Sequence, residues 1–139
     1  MVNQARVVHS YSTSVPDEPG QAFKVLATLV SAGINLLGCS GTQCDGRACI
    51  DVVPDDAGAF ARIVELAGLN FRRQKMGFLI QGDDRPGALA ESLSRLADTG
   101  LNVSGVQGLA AGAGRWGAIV WIADRDLEAA AIALGASLP

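Results

Sequence analysis

The chain has 139 residues, 49% of them hydrophobic and 18% charged, which is the make-up of a globular protein. Its formal net charge of -3 leaves no basic footprint for nucleic acid and no polybasic patch for a membrane surface. No apolar run reaches the ~18 residues of a membrane span, and the segment from Met1 to Arg6 lacks the apolar core of a signal peptide, so a cytoplasmic location is expected.

The first predicted strand covers about Arg6 to Ser14, and a helix follows from about Pro19 to Ala32. Ala22, Val25, Leu26, Leu29 and Val30 mark one face of that helix, and Gly33 ends it. A second strand, Ile34 to Thr42, leads through Cys44-Asp45-Gly46-Arg47 into a third, Ala48 to Val53. Phe60, Ile63, Val64 and Ala67 then give a second helix face closed by Gly68, and Leu69 to Arg73 reads as a further strand. Lys75 to Gln81 is the next strand. A helix from about Pro86 to Thr99 carries Leu89, Leu93, Leu96 and Ala97 on one face. Leu101 to Leu109 and Trp116 to Ile122 are strands joined by a Gly/Ala-rich turn, and Leu127, Ala130, Ala131 and Leu134 mark the last helix.

The order repeats because the sequence does. Pro19/Pro86, Gly20/Gly87, Leu26/Leu93, Leu29/Leu96, Gly33/Gly100, Asn35/Asn102 and Gly38/Gly105 share one offset of 67 residues, which marks an internal duplication. The chain therefore divides into residues 1–74 and 75–139. Each copy reads β-α-β-β-α, so the expected fold class is α+β, two ferredoxin-like units with helices packed on antiparallel sheets. Units this small bury only about 60% of their unfolded surface and are expected to share a sheet or an interface. The second copy runs out of residues for a final strand, and residues 2–7 are expected to supply that edge, with Val2–Ser14 and Leu69–Gln81 as long strands each serving both units.

Cys39, Cys44 and Cys49 match no zinc-ligand spacing. With a two-residue turn at Asp45-Gly46, Cys49 faces Thr42 and not Cys39, so no cross-strand disulfide is implied. All three are expected to be reduced, at least two packing as small apolar residues, the alternative being a thiolate metal or redox site. Gly112-Ala113-Gly114-Arg115-Trp116-Gly117 matches the letters of a dinucleotide fingerprint but precedes a strand instead of a helix, so it is read as a hairpin connection. His9, the one histidine, aligns with Met76 and is expected in half-buried sheet. Nucleophile–base pairs and metal clusters thus lack players, and no enzyme, metal or cofactor is expected. Arg72-Arg73-Gln74-Lys75 reads as a solvated strand edge. The carboxylate pairs Asp17-Glu18, Asp55-Asp56 and Asp83-Asp84 are read first as helix caps.

The repeated turn and the repeated asparagine remain. A helix N-terminus presents amides and a positive dipole end to an anion, and Gly20 and Gly87 let a ligand come close to the backbone. The amides of Asn35 and Asn102 can bridge the carboxylate and ammonium of an amino acid, which Asp17, Glu18 or Asp84 can hold. The competing readings are helix initiation for the Pro-Gly turns and a local strand-entry bond for the asparagines.

Asp84-Arg85-Pro86-Gly87-Ala88-Leu89 with Gly100-Leu101-Asn102-Val103, and more loosely Asp17-Glu18-Pro19-Gly20 with Gly33-Ile34-Asn35-Leu36, resembles the D-R-P-G-x-L…G-x-N-[IV] signature of ACT domains. Over nearly its whole length the chain is similar to a tandem ACT repeat, as in the regulatory region of aspartokinase. The resemblance implies βαββαβ domains that join side by side and bind an amino acid at their interface. Carried over, it nominates Asp17, Pro19, Gly20 and Asn35 in one copy and Asp84, Arg85, Gly87 and Asn102 in the other. It further implies a non-enzymatic regulatory module, a homodimer, and a separate metabolic enzyme or regulator as partner, since ACT domains are commonly attached to an enzyme and these residues contain none. The alternative is a dimerisation or structural module whose ligand sites are vestigial.

Overall fold

The computed structural model describes residues 4–136. Six strands and four helices alternate as β1 (Gln4–Pro16), α1 (Gln21–Ser31), β2 (Leu36–Cys44), β3 (Arg47–Pro54), α2 (Ala57–Ala67), β4 (Arg72–Asp83), α3 (Ala88–Asp98), β5 (Gly105–Gly112), β6 (Arg115–Ile122) and α4 (Leu127–Leu134), with a 3-10 turn at Asp124–Asp126. The fold class is α+β.

Two compact units make up the chain. One is residues 9–74, and the other joins the described residues up to Val8 to those from Lys75 on. In the first, β2 and β1 flank β3, both antiparallel to it, with Tyr11 opposite Val52 and Cys39 opposite Val52 from the other side. Its core is Leu29, Ile50, Val52 and Phe60, and Phe60 carries Tyr11 and Phe71 on its ring at centroid distances of 4.7 and 5.2 Å.

In the second unit β6 lies between β4 and β5, antiparallel to both. Strand alternation decides its core: Trp116, Ala118, Val120 and Ile122 are buried while the residues between them are half-buried. They meet Phe78, Ile80, Leu96, Ala130, Ala131 and Leu134. Ala5 and Val7, from the start of β1, pack against this second core, whereas Leu69 and Phe71 pack against the first. Of residues 2–7, expected as an edge strand, residues 2 and 3 lie outside those described.

Several expectations are corrected by local physics. Helices α1 and α3 begin at Gln21 and Ala88, two residues after the prolines. Gly20 and Gly87 sit at φ +85° and +83°, and Gln21 and Ala88 donate their amides to the carbonyls of Glu18 and Arg85 at 3.3 and 3.2 Å. Proline second and left-handed glycine third is a type II turn, so the Pro-Gly pair turns the chain before the helix instead of forming its first turn. Asp56 caps α2, accepting the Ala59 amide at 3.0 Å, but glycine occupies the cap positions of α1 and α3, so the other two carboxylate pairs are not caps. Strand β5 starts at Gly105, opposite Trp121 and four residues later than predicted, because its partner β6 ends at Ile122, one residue beyond; the Ser104 amide donates to the Trp121 carbonyl at 2.8 Å. Leu69 to Arg73 and Lys75 to Gln81 join in one long strand, as the Leu69–Gln81 segment anticipates, except that β4 runs from Arg72 to Asp83.

The cysteines differ most from expectation. Cys49 does face Thr42, and Asp45-Gly46 does form a two-residue turn, with both residues at positive φ. Yet Cys44 and Cys49 form a disulfide, with Cα atoms 6.0 Å apart. The pairing is diagonal: Cys44 faces Arg47, two residues from Cys49, and the observed Cα separation falls within a disulfide's range. Cys39 is free, its thiol pKa pushed up by partial burial and by Asp51.

Candidate functional site

The second Pro-Gly turn lies beside an open surface depression of about 410 Å³, most of whose lining residues are exposed. The turn contributes Asp84, Arg85 and Gly87, and the first residues of α3 contribute Ala88, Leu89 and Ala90. Opposite them stand Gly108, Leu109 and Ala110 of β5 and Trp116 of β6. The turn is held in place from the hairpin side, because the Asp84 amide donates to the Gly114 carbonyl at 2.8 Å and Arg115 Nη1 donates to Asp83 Oδ1 at 3.0 Å. Gly112, Ala113 and Gly114 all have positive φ in the connection that makes this contact. The segment resembling a dinucleotide fingerprint is therefore a hairpin between β5 and β6.

Charge is arranged at one end. Arg85 Nη2 donates to Glu91 Oε2 at 2.6 Å across the first turn of α3, and the guanidinium holds the Glu91 carboxyl below the usual carboxylate range. The pair is half-exposed, leaving other guanidinium donors toward solvent. Helix α3 has no side-chain cap, and its N-terminal residues line the cavity. One rim thus carries a cation, a helix N-terminus and the Asp84 carboxylate, a set suited to an ion with both charges. The rest of the lining is apolar.

Of the residues singled out in this copy, the structure brings Asp84, Arg85 and Gly87 together. Asn102 is exposed ahead of β5 and is not in the lining. In the other copy Asp17, Pro19 and Gly20 form the equivalent turn, but Gln43 Nε2 donates to Asp17 Oδ2 at 2.7 Å, so the hairpin carrying the disulfide is tied to the turn. Asn35 is exposed, and its carbonyl accepts the Asp55 amide at 2.9 Å, a strand-entry bond made by the backbone. Sequence reasoning missed Gly108, Ala110 and Trp116. Nothing in the local sequence pattern marks them, because strand pairing alone brings the β5–β6 hairpin beside the turn. Among the described residues no three His, Cys, Asp or Glu are grouped so as to hold a metal ion.

No protein-family model and no curated protein matches the sequence. Solved structures do. Protein BT0572 from Bacteroides thetaiotaomicron superposes with a TM-score of 0.77 at 16% identity, over 94% of this chain and 88% of that one. The ligand-free regulatory subunit of aspartate kinase from Thermus thermophilus gives 0.63 at 21% identity, covering 97% and 95%. The regulatory subunit from Thermus flavus gives 0.57 at 22%, also over 97% and 95%. The chain shares the fold of these regulatory subunits, the kind of protein its Pro-Gly and Asn motifs resemble.

Proposed function

We propose that this chain is a non-enzymatic regulatory module that binds an amino acid at the Asp84–Gly87 turn. The observation that carries the reading is the cavity there, with both signs of charge on one rim and apolar walls elsewhere. The amino acid's carboxylate is set toward Arg85 and the α3 N-terminus, and its ammonium toward Asp84. In this reading each compact unit is one ferredoxin-like βαββαβ domain of the ACT type, the chain dividing near 74/75, with the start of β1 closing the second. The chain works in the cytoplasm as a homodimer and regulates a separate metabolic enzyme or regulator, as the resemblance to aspartokinase regulatory regions suggests. Strand β5, last in its strand order and exposed along most of its length, supports side-by-side joining.

Thermal unfolding against each of the twenty amino acids tests this. A ligand at a hundred times its dissociation constant adds about 2.7 kcal/mol of stability. We expect one selective class of hits, lost in Asp84→Ala and Arg85→Ala. A flat panel from a protein that still self-associates would establish the rival reading, an interaction module with vestigial sites. That rival draws support from the first copy, where Gln43 already occupies Asp17.

A further inference from the structure

Trp116 is 6% exposed, and its indole nitrogen is buried with no hydrogen-bond partner among the described residues. Tryptophan N–H groups usually find a partner when buried, and leaving one unpaired costs about 1–3 kcal/mol. The register explains why the fold offers none. Trp116 stands between Ala110 on β5 and Gly82 on β4, and neither has a polar side chain. Trp116 also lines the cavity, where a partner can come from outside the chain.

We propose that Trp116 is a ligand-binding residue of a site for amino acids with apolar side chains, its Nε1–H donating to a carboxylate oxygen of the ligand. This rests on the reading of the cavity as an amino-acid site. The charged groups are confined to the turn, whereas Ala88, Leu89, Ala90 and Ala110 offer only hydrocarbon. A charged side chain finds no partner among these side chains, and an apolar one gains by covering them. Leu89 is the movable part of this wall. It is half-buried, and its Cδ2 lies near Gly108, where the missing Cβ leaves it room.

The duplication supplies an internal control. At the same offset of 67 residues the first copy has Cys49 for Trp116, Glu18 for Arg85 and Gln43 for Ala110. There the donor is absent, the cation is replaced by an anion, and Cys49 is engaged with Cys44.

The test is calorimetric titration of the intact chain with L-leucine, L-valine and L-phenylalanine, and with L-lysine and L-aspartate as charged controls. The wild type binds at least one of the first three more tightly than either control. Trp116→Phe keeps an aromatic ring and removes the donor, so affinity drops roughly tenfold, the equivalent of about 1.4 kcal/mol, measured at a temperature where the variant is fully folded. A second reading uses Trp121→Phe, which leaves Trp116 as the sole tryptophan of the two; the same apolar amino acid shifts its emission. Unchanged affinity in Trp116→Phe, or tighter binding of a charged control, overturns the role of Trp116 while leaving an amino-acid site standing. Failure of the wild type to bind any of the twenty overturns both.

Discussion

At the scale of single residues, Trp121 shows how a large side chain is accommodated on a crowded sheet. It lies on β6 opposite Gly77 of β4 on one side and Gly105 of β5 on the other. A Cβ at Gly77 would overlap the Val120 carbonyl oxygen and the Trp121 ring, and one at Gly105 would come within 3.2 Å of Trp121 Cδ1. The two glycines form the floor for the indole, and Lys75 Nζ lies 5.9 Å from its ring centroid. Gly77 has ordinary backbone angles, so its requirement is space, not conformation. Gly77→Ala is therefore expected to destabilise the fold by about 3 kcal/mol, the upper end of the overpacking range, read as a lowered denaturant midpoint. Gly105→Ala, with the looser contact, is expected to cost clearly less, and equal effects would contradict this account.

At the scale of elements, the β2–β3 hairpin is held three ways. Cys44–Cys49 bridges it, Arg47 donates to the Ser14 hydroxyl at 3.2 Å, and Gln43 holds Asp17. A disulfide closing so short a loop stabilises by about 2 kcal/mol at most in the chain-entropy model. Reduction of the intact chain is expected to lower stability by no more than that, measured by urea unfolding with and without dithiothreitol, and a mass shift on alkylation counts the thiols released. The hairpin also marks the limit of what sequence reveals. Its turn was legible because Asp-Gly at positive φ has a strong local signature, and so were the helix faces, which repeat at 3.6 residues. The bridge was not, because diagonal reach depends on strand twist, which no residue pattern encodes. The helix starts were misread for a related reason: proline suits both a first helical position and the second place of a type II turn, and only the backbone angle of the next residue decides between them. The turn half of the site was visible in Asp84, Arg85 and Gly87. The strand half, with Trp116, needed tertiary register.

At the scale of the whole molecule, the two copies have kept one backbone plan and given up equivalent chemistry. Both turns retain the left-handed glycine, at φ +85° and +83°, so the local geometry that presents a helix N-terminus survives twice. What surrounds it has diverged. Around Asp84 the facing strand residues are small, Gly108 and Ala110, beside an open depression; around Asp17 the residue in Ala110's place is Gln43, whose amide donates to the carboxylate. A site whose anion is already satisfied by a neutral donor of its own chain gains little from a ligand ammonium, because each new hydrogen bond must first break an existing one. The duplication thus predicts one ligand per chain instead of two. Titration calorimetry is expected to give a stoichiometry near one, unchanged in Asp17→Ala and lost in Asp84→Ala. Removing this bond with Gln43→Ala frees Asp17 without restoring the cation or the indole donor, so no second binding event should appear. A stoichiometry of two in the wild type, falling to one in Asp17→Ala, would mean that the Gln43 tie yields to ligand and that both copies still serve.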